Sequence, residues 1–398
     1  MIKVALFSCG DLTNMKGVMN YVHEKALKLS DPNLDVVCDV YIIQSEYSRL
    51  LSFVVGGFQI SSLFKKKVSR GRVTEKGGVV YHNLWHTYSI WDNLVTTKLF
   101  KRPQGRLFSE KCARILKNYD VIATHDISCH YIALLTKRKY GTPYVATWHG
   151  SDINLAPQRG KEYINLVKAT TINAAYNLYV SKALLSEANK ICAQGNKEII
   201  YTGPSSIFEK YSDTERERLR KSFMVSDKKV IAFIGNLFPI KNVLVLPDVF
   251  KVVSDHFHQQ TVFWIIGDGK LETLLNQMLI KSKVNYQMWG RRNPEEMPMF
   301  MNMIDVLVLP SLNEGLPLVT LEALKCGAHV VGSDVGGISE SIGKENVITI
   351  DADFVQNIAN RIIELLSESS DVLYPEVFSW KNAVKKEVQL LKSAVENT

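Results

Sequence analysis

Residues 310–327, PSLNEGLPLVTLEALKCG, are the most informative part of the chain because they join a predicted strand to a predicted helix through a short loop. The apolar run that leads into it, IDVLVLP (304–310), predicts a buried strand with one internal acid. The loop carries Glu314, and the helix carries Glu322. A strand, a glycine-containing loop and a helix in this order are typical of the parallel βα units of an α/β fold.

The start of this helix is an expected anion-binding site. Pro317 is tolerated at a helix start because its missing N–H group would be unpaired there. The backbone N–H groups around Leu318–Thr320 then lie at the positive end of the helix. Glu314 and Glu322 would accept hydrogen bonds from hydroxyls on either side of a bound phosphate. A sugar nucleotide offers that arrangement, with sugar and ribose hydroxyls flanking a diphosphate.

These residues resemble the donor site of retaining GT-B glycosyltransferases, in particular of glycosyltransferase family 4. In that family two glutamates eight positions apart flank a loop with glycine and proline, as Glu314 and Glu322 do here. The resemblance implies that Glu314 contacts the transferred sugar and Glu322 the ribose. It also implies backbone contacts to the donor from the loop and the helix start, namely Gly315, Leu316, Pro317, Leu318 and Val319. The alternative is an ordinary strand–loop–helix with surface acids.

The resemblance implies an α/β fold of the GT-B type, with two doubly wound Rossmann-like domains facing across a cleft. The length of 398 residues suits two domains of about 150–200 residues each. We expect an acceptor domain over residues 1–203 and a donor domain over 204–377, joined near Thr202–Tyr211. A C-terminal helix, 378–398, is expected to pack back on the first domain.

Composition narrows the class of protein further. Apolar residues make up 46% and charged residues 22%, as is ordinary for a soluble globular protein. The sequence predicts neither a signal peptide nor a membrane span, and we therefore expect a cytoplasmic protein. The six cysteines are scattered and contain no CxxC pair, which favours buried free thiols over a zinc site or disulfides.

The positive charge is concentrated in the first half of the chain. Residues 1–200 contain 27 Lys+Arg against 15 Asp+Glu, which leaves 21 against 25 for residues 201–398. This imbalance predicts an anionic partner. The strongest cluster, FQISSLFKKKVSRGRVTEK (58–76), places apolar side chains beside Lys65–Lys67, Arg70 and Arg72. Residues 58–72 are interpreted either as a contact with anionic lipid on the inner face of the cell membrane or as a solvated loop. We expect no nucleic-acid partner.

Three motifs of the first half lie at predicted strand ends. The loop GDLTNMKG (10–17) precedes a helix, and the resemblance gives Gly17 a contact with donor phosphate. A plain βα turn is the alternative. A second strand ends in His125 and Asp126, and a third in His149. The resemblance implies that His125 hydrogen-bonds the transferred sugar and that His149 and Asp126 line the acceptor side of the cleft.

The segment IAFIGNLFPIKN (231–242) departs from the family in one position. Family members carry an arginine directly after the glycine and a lysine five residues later, and both hold the diphosphate. Lys241 occupies the second position, but Asn236 occupies the first. An amide donates a hydrogen bond without supplying charge to the leaving group. The resemblance therefore implies a catalytic Lys241, with weaker donor binding, a replacement cation or impaired catalysis as consequences of Asn236.

Two glycine turns complete the predicted donor pocket. The resemblance implies that Gly267 lies against the donor and that the backbone of Arg291 meets the base. Residues 351–353, Asp-Ala-Asp, look like the DxD metal motif of another glycosyltransferase fold but directly precede an apolar helix. Helix capping explains them better, and we expect no metal and no cofactor besides the nucleotide-sugar co-substrate.

The sequence thus predicts a retaining, metal-independent hexosyltransferase that uses a nucleotide sugar and a glycan or lipid-linked acceptor in bacterial surface polysaccharide synthesis. Glu314, His125 and Lys241 are its predicted catalytic residues. A sugar-nucleotide epimerase or a phosphorylase of the same fold remains an alternative. A non-catalytic protein that binds a nucleotide sugar is the other alternative, suggested by Asn236.

Overall fold

The computed structural model describes residues 1–12, 15, 17–47, 71–88, 105–258, 260–368 and 371–398. Lys16 of the first glycine loop and residues 58–70 of the predicted lipid-contacting segment lie outside these ranges. The chain divides into two compact units. Unit 1 comprises Met1–Val180, Leu184–Ile200 and Trp380–Thr398, and unit 2 comprises Ser181–Ala183 and Tyr201–Ser379.

Short apolar runs form the strands of both units. In chain order they are β1 (Ile2–Cys9), β2 (Val36–Tyr47), β3 (Val73–Lys76), β4 (Val79–Tyr88), β5 (Val121–His125), β6 (Tyr144–Trp148), β7 (Tyr176–Tyr179), β8 (Lys197–Ile199), β9 (Lys229–Ile234), β10 (Thr261–Ile266), β11 (Tyr286–Gly290), β12 (Val306–Leu309), β13 (His329–Ser333) and β14 (Val347–Ile348).

The helices alternate with these strands. They are α1 (Val18–Leu29), α2 (Arg106–Leu116), α3 (Ile127–Tyr140), α4 (Ser151–Asn154), α5 (Lys161–Asn173), α6 (Lys182–Ile191), α7 (Asp213–Ser222), α8 (Leu246–His256), α9 (Glu272–Ser282), α10 (Met297–Met303), α11 (Leu318–Lys325), α12 (Ile338–Ile342), α13 (Phe354–Ser367) and α14 (Trp380–Glu396). Short 3₁₀ turns cover Pro32–Leu34, Pro157–Arg159, Pro239–Lys241, Val243–Val245, Pro294–Glu296 and Lys344–Asn346.

Unit 1 is built on an eight-stranded sheet with the order β3-β4-β2-β1-β5-β6-β7-β8. The described pairings are parallel apart from β3 with β4. The middle of the central strand β1 is apolar, and its Val4, Ala5, Leu6 and Phe7 are completely buried. Helix α14 contributes Leu391 to the same core, so the C-terminal helix is part of unit 1.

Unit 2 is built on a six-stranded sheet with the order β11-β10-β9-β12-β13-β14. Its described pairings are all parallel. Strands buried on both faces are expected to be continuously apolar, as Val306–Leu309 of β12 is. Asp305, the acid predicted inside this strand, instead precedes it and accepts a hydrogen bond from the Val230 amide at 2.8 Å.

Both sheets reverse their strand order at one point. In unit 1 the chain builds outward from β1 to one side and from β5 to the other, and in unit 2 the equivalent neighbours are β9 and β12. Ligands of open α/β sheets bind beyond the carboxyl ends of the strands at such a reversal. A ligand-binding site is therefore expected in the loops after β1, β5, β9 and β12. No helix in the described ranges is both long and apolar enough to cross a membrane.

Candidate functional site

The order reversal of unit 2 brings together two residues that the sequence marks as catalytic. Lys241 ends the 3₁₀ turn that follows β9, and Glu314 lies in the loop that follows β12. Because β9 and β12 are adjacent parallel strands, both loops leave the same edge of the sheet. The Lys241 Nζ and Glu314 Oε1 atoms form an ion pair there.

This ion pair is held in place by its neighbours. Ser311 donates a hydrogen bond from Oγ to the same Glu314 oxygen at 2.7 Å. The Leu312 amide donates to the Ile240 carbonyl at 2.8 Å, so the two loops are also joined through their backbones. The Lys241 side chain is 20% exposed and that of Glu314 12%, which leaves both partly accessible to a ligand.

The loop that carries Glu314 is packed against a pair of glycines. A Cβ atom on Gly336 would lie 1.9 Å from the Glu314 carbonyl oxygen, and one on Gly337 would lie 2.3 Å from the Gly315 carbonyl oxygen. Ser181 donates a hydrogen bond to that Gly315 oxygen at 2.8 Å. The backbone of residues 314 and 315 is therefore fixed by contacts that only glycine permits.

The start of α11 differs in one respect from the sequence-based expectation. Pro317 is the N-cap residue, with an extended ψ of 105°, and not the first helical residue. Its carbonyl accepts a hydrogen bond from the Thr320 amide at 3.1 Å and from the Thr320 hydroxyl at 2.7 Å. The Thr320 amide is thus already paired. The amides of Leu318 and Val319 precede the first intrahelical acceptor and remain the donors of this helix end.

Glu322 lies one turn further along α11 and is half-buried. Its carboxyl oxygens have no hydrogen-bond partner among the described residues. Burial raises the pKa of this carboxyl to about 7. A buried acid without protein donors is one that hydroxyls of a ligand can stabilise in its charged form.

The glycine turns after β9 and β10 are packed backbone against backbone. A Cβ atom on Gly267 would lie 1.9 Å from the Gly235 carbonyl oxygen, and φ at Gly267 is 138°. The Gly267 amide donates to the Gly290 carbonyl at 2.9 Å, and the Gly235 amide donates to the Ile266 carbonyl at 2.9 Å. Three adjacent strand ends are therefore locked together, and Gly267 is required for their close approach.

Arg291 and Asn236 flank these turns. The Arg291 guanidinium forms two hydrogen bonds with the Asp268 carboxylate, at 3.0 Å from Nε and 2.9 Å from Nη2. This pair is exposed, and it orients the residue whose backbone is predicted to meet the base. Asn236 is half-buried, and its carbonyl accepts the Phe238 amide at 2.9 Å.

In unit 1, Gly17 is the N-cap of α1, after the loop that follows β1. Its φ of 48° is in the left-handed region, and a Cβ atom built on it would meet none of the described residues within 4 Å. The requirement for glycine here is therefore conformational.

His125 has a different environment from the one that the resemblance implies. Its side chain is completely buried at the end of β5. Nε2 lies 3.0 Å from Nζ of Lys25 on α1, and Nδ1 lies 2.8 Å from Nε2 of His149. Both ring nitrogens are occupied, so this arrangement leaves His125 no atom to offer a sugar hydroxyl. His149, which follows β6, is only partly buried.

Asp126 caps a helix. It has a φ of 78° and accepts a hydrogen bond from the Ser128 amide at 2.8 Å, at the start of α3. The Asp152 carboxyl accepts the Ile127 amide of the same helix start, and burial, with Asp126 nearby, raises its pKa to about 7. Asp152 thus caps α3, although it lies in α4. The capping hydrogen bond accounts for the presence of Asp126 without any contact with an acceptor substrate.

Sequence reasoning missed two residues of this region, Lys25 and Glu387. They form a buried ion pair between α1 and α14. Lys25 lies among Tyr21, Val22 and Ala26 on the buried face of α1, and Glu387 lies on the buried face of α14. A charge inside an apolar helical stripe is the signal that could have identified each of them.

The Asp-Ala-Asp segment is a local turn. The Asp351 carboxylate accepts a hydrogen bond from the Asp353 amide at 3.0 Å, directly before α13. Asp353 is the N-cap of α13 but makes no capping bond through its side chain. Within the described ranges, no three His, Cys, Asp or Glu side chains converge on one point.

Known proteins resemble this chain in both units. Residues 79–204 match the model of "Glycosyltransferase Family 4", and residues 228–368 match that of "Glycosyl transferases group 1". The putative teichuronic acid biosynthesis glycosyltransferase TuaC of Bacillus subtilis (strain 168) is 28% identical over 235 residues, 59% of this chain and 57% of TuaC. The UDP-Gal:alpha-D-GlcNAc-diphosphoundecaprenol alpha-1,3-galactosyltransferase of Escherichia coli is 28% identical over 237 residues, 56% of this chain and 59% of that protein.

The fold has close counterparts among solved structures. The sucrose-phosphate synthase of Thermosynechococcus elongatus superposes with a TM-score of 0.78 at 17% identity, over the whole length of both chains. The two parallel-sheet α/β units are those of the GT-B fold. The two models match different parts of the chain, so residues 79–204 form a domain of Glycosyltransferase Family 4 and residues 228–368 a domain of Glycosyl transferases group 1, and the chain is a glycosyltransferase of the GT-B fold.

Proposed function

We propose that this glycosyltransferase moves a hexose from a nucleotide sugar to a glycan or lipid-linked acceptor, with retention of anomeric configuration and without a metal ion. The observation that carries the proposal is the Lys241–Glu314 ion pair at the strand-order reversal of unit 2. Two charged groups of opposite sign lie there beside a helix start, and each suits a different part of a sugar nucleotide.

The donor is assigned to unit 2. Lys241 and the amides of Leu318 and Val319 bind the diphosphate, because a cation and free N–H groups favour an anion at this place. Glu322 accepts the ribose hydroxyls. Glu314 accepts hydroxyls of the transferred sugar, and the backbone beside Arg291 meets the base.

The reaction breaks the bond between the anomeric carbon and the diphosphate oxygen and forms a bond to an acceptor hydroxyl. The proton of that hydroxyl passes to the departing diphosphate, which balances the charge. Negative charge develops on the leaving oxygen, where Lys241 stabilises it more strongly in the transition state than in the ground state. Attack on the face that the leaving group vacates accounts for retention without an enzymic nucleophile.

The acceptor is assigned to unit 1 and to surface polysaccharide assembly. The E. coli relative is named for an undecaprenol-linked acceptor and a UDP-galactose donor, and TuaC is named for teichuronic acid biosynthesis. The excess of positive charge in residues 1–200 suits an acceptor with a diphosphate or one carried on an anionic membrane. We assign residues 58–72 to that membrane contact, on the inner face of the cell membrane.

The test is hydrolysis of a panel of nucleotide sugars: UDP-galactose, UDP-glucose, UDP-N-acetylglucosamine and GDP-mannose. Turnover of at least one without acceptor is expected, together with thermal stabilisation by that compound. A ligand at about 100 times its Kd stabilises by about 2.7 kcal/mol. Stabilisation without turnover, even with lipid-linked acceptors added, would identify a binding protein and contradict the proposal. The anomeric configuration of the product, read by proton NMR, tests retention.

A further inference from the structure

Four side chains of unit 1 form a continuous chain of polar contacts from the C-terminal helix to the carboxyl edge of the first sheet. Glu387 on α14 pairs with Lys25 on α1. Lys25 Nζ lies 3.0 Å from Nε2 of His125, and His125 Nδ1 lies 2.8 Å from Nε2 of His149. Lys25 and His125 are completely buried, and Glu387 is 2% exposed. His149 is the only partly exposed member of the four.

The chemistry of each member fixes the direction of these hydrogen bonds. A lysine ammonium group has three donors and no acceptor, so His125 Nε2 must accept. A neutral imidazole that accepts at Nε2 carries its proton on Nδ1. His125 Nδ1 therefore donates to His149 Nε2, which accepts in turn. His149 must then carry its own proton on Nδ1, an atom with no partner among the described residues.

We infer that the Lys25–Glu387 ion pair fixes the tautomers of His125 and His149, so that His149 presents Nδ1–H as a permanent hydrogen-bond donor to a substrate oxygen at the carboxyl edge of the first sheet. The oxygen belongs to a sugar hydroxyl or to a phosphate. His149 is the contacting residue, and His125, Lys25 and Glu387 are positioning residues. This inference rests on the proposed function only for the identity of the ligand.

The groups around His125 and His149 keep both imidazole rings neutral. Burial and the charge on Lys25 hold the pKa of His125 well below its usual value and lower that of His149 to about 3. The Tyr21 ring packs edge-on against the His149 ring, with 4.7 Å between the ring centroids. It also contacts the rings of His125 and Trp380, at centroid distances of 5.4 and 5.1 Å. Since these contacts separate the buried members from solvent, neither histidine changes its charge near neutral pH.

A purely structural role explains the ion pair poorly. Two apolar side chains of similar size, packed between the same helices, are often as stable as a buried ion pair, because the pair must lose its hydration. The Lys25 ammonium group also donates to the His125 imidazole and so fixes its tautomer, which an apolar side chain could not do. The same contact explains why His125, although it lies at the strand end, does not touch the ligand itself.

The direct test is the protonation state of the two rings in the full chain without ligand. Long-range proton–nitrogen NMR of protein labelled with ¹⁵N-histidine distinguishes Nδ1–H from Nε2–H. The expected result is that His125 and His149 are both neutral and protonated on Nδ1 from pH 6 to pH 8. A charged His149, or one protonated on Nε2, would overturn the inference.

A double variant removes the ion pair without leaving a lone buried charge, Lys25→Met with Glu387→Met. With no ammonium at Nε2, the reversed arrangement becomes available, in which His149 donates from Nε2 to His125. We expect new His149 signals protonated on Nε2, while circular dichroism shows a folded protein. Wild-type tautomers in a folded double variant would overturn the positioning role. Should this variant not fold, Lys25→Met with Glu387→Gln takes its place, since it also removes the ammonium group from Nε2 and leaves no buried charge, and the same change of tautomer is expected.

The control removes an exposed ion pair between the same helix and the N-terminal region, Lys392→Met with Asp35→Asn. These partners are 3.6 Å apart and 38% and 68% exposed. Asparagine tolerates the left-handed φ of 55° at position 35. The control should keep the wild-type tautomers and turnover. A shift of the His149 tautomer in the control as large as that in the double variant would assign the effect to general loosening of α14 and overturn the inference.

The kinetic arm uses UDP-galactose with the full chain. Loss of one hydrogen bond to a ligand predicts an about tenfold lower kcat/KM for His149→Leu, with partial recovery in His149→Gln, which keeps an amide donor. Addition of galactose should shift the His149 Nδ1 signal if the oxygen belongs to a sugar hydroxyl, and addition of inorganic phosphate should shift it if the oxygen belongs to a phosphate. Failure of all four nucleotide sugars of the panel to turn over would count against the proposed function, whereas the tautomers of His125 and His149 test the positioning role independently. Unchanged kcat/KM in His149→Leu would overturn the substrate contact.

Discussion

Lys241 and Glu314 are 73 positions apart in sequence and form an ion pair in the folded protein. The contact arises because one residue follows β9 and the other follows β12, its parallel neighbour. Two consequences follow for a donor that binds here. The ion pair holds the long lysine side chain in one orientation before the diphosphate arrives, and the diphosphate must then share that lysine with Glu314. Because the diphosphate competes with Glu314 for Lys241, we expect Glu314 to turn to the sugar hydroxyls in the bound state.

Replacement of Lys241 by alanine should reduce turnover of the nucleotide sugar by about 10²–10³-fold, the loss typical of one donor to a developing anion. The physical reason is that the charge on Lys241 matters most once the leaving oxygen carries charge. Measurement of kcat and KM separately checks this, since kcat should fall more than affinity. The control is Lys251→Ala, which removes an exposed lysine paired with Asp255 on α8. Equal turnover in the two variants would contradict the role of Lys241.

The pKa of about 7 for Glu322 predicts a pH-dependent affinity. Ribose hydroxyls donate to the charged carboxylate and lower its pKa, so binding of a nucleotide sugar releases a proton below pH 7. Affinity for UDP-galactose should therefore rise between about pH 5 and pH 7, by at most about tenfold per pH unit, and level off above. A sugar nucleotide has no phosphate monoester to titrate in this range, unlike UDP. Calorimetry across this range should show the rise in the wild type and a flat, weaker profile in Glu322→Gln.

The same group predicts an effect of opposite sign on stability. The folded state holds the Glu322 proton up to about pH 7, whereas the unfolded chain loses it near the ordinary value of 4.5. Between these values the folded state binds more protons, so the free energy of unfolding falls as pH rises. Glu322→Gln lacks this loss and should gain stability relative to the wild type from pH 5 to pH 8. A parallel stability profile for both proteins would show that Glu322 is ionised normally.

Much of the fold was predictable because hydrophobic periodicity is a local property. The helix predicted after the loop 10–17 begins at Val18, and the strand predicted within residues 304–310 forms at Val306–Leu309. The apolar run after Asn242 begins with the 3₁₀ turn Val243–Val245, and α8 starts only at Leu246, since Pro247 favours the first turn of a helix. The local hydrophobic pattern indicates a helix in this segment but not the residue at which the helix begins.

The candidate site was predictable where the motif is contiguous and less so where it depends on distant contacts. The loop from Glu314 to Glu322 is one short stretch, and its geometry follows from strand, loop and helix. The occupation of both His125 nitrogens depends on Lys25 and on His149, which follow other strands. The Lys25 contact depends in turn on a glutamate of the last helix. No local pattern reports which of several histidines at strand ends is buried by such partners.

Replacement of Asn236 by arginine should tighten donor binding. The native amide supplies no charge, and a guanidinium placed beside the diphosphate adds a charge-assisted hydrogen bond, which predicts an about tenfold or greater gain in affinity. Titration with UDP-galactose at two salt concentrations measures the gain. Asn360→Arg, on the exposed face of α13, controls for general attraction of an anion. Weaker binding in Asn236→Arg would indicate that a cation of the first half of the chain already serves the diphosphate.

Residues 58–72 should confer binding to anionic vesicles. Each cation near an anionic surface contributes about 1 kcal/mol, and salt should weaken the attraction by screening. Co-sedimentation with anionic and neutral vesicles measures binding of the wild type and of a variant with Lys65, Lys66 and Lys67 changed to glutamate. The control changes three exposed cations of α2 and its C-cap to glutamate, namely Lys111, Arg114 and Lys117. Equal losses in both variants would assign the attraction to net charge and not to this segment.

Gly336 should be intolerant of even one added methyl group. Its φ is 53°, and a Cβ atom there would lie 1.9 Å from the Glu314 carbonyl oxygen, a backbone atom that no side-chain rotation can move away. Gly336→Ala must therefore displace the loop that carries Glu314. Since Glu314 also holds Lys241, both charged groups lose their positions together. We expect donor turnover to fall by more than tenfold while circular dichroism shows a folded protein.

Backbone strain alone has a matched control in Gly141→Ala. That residue ends α3 with a φ of 82°, and a Cβ atom built on it meets nothing within 4 Å. Its substitution should cost about 1–2 kcal/mol of stability, the penalty of a left-handed backbone, and leave turnover unchanged. Thermal melts compare the two variants for stability, and hydrolysis of UDP-galactose compares them for activity. If Gly336→Ala matched Gly141→Ala in both measurements, the loop at Glu314 would have room to adjust, and its rigid packing would not be needed for turnover.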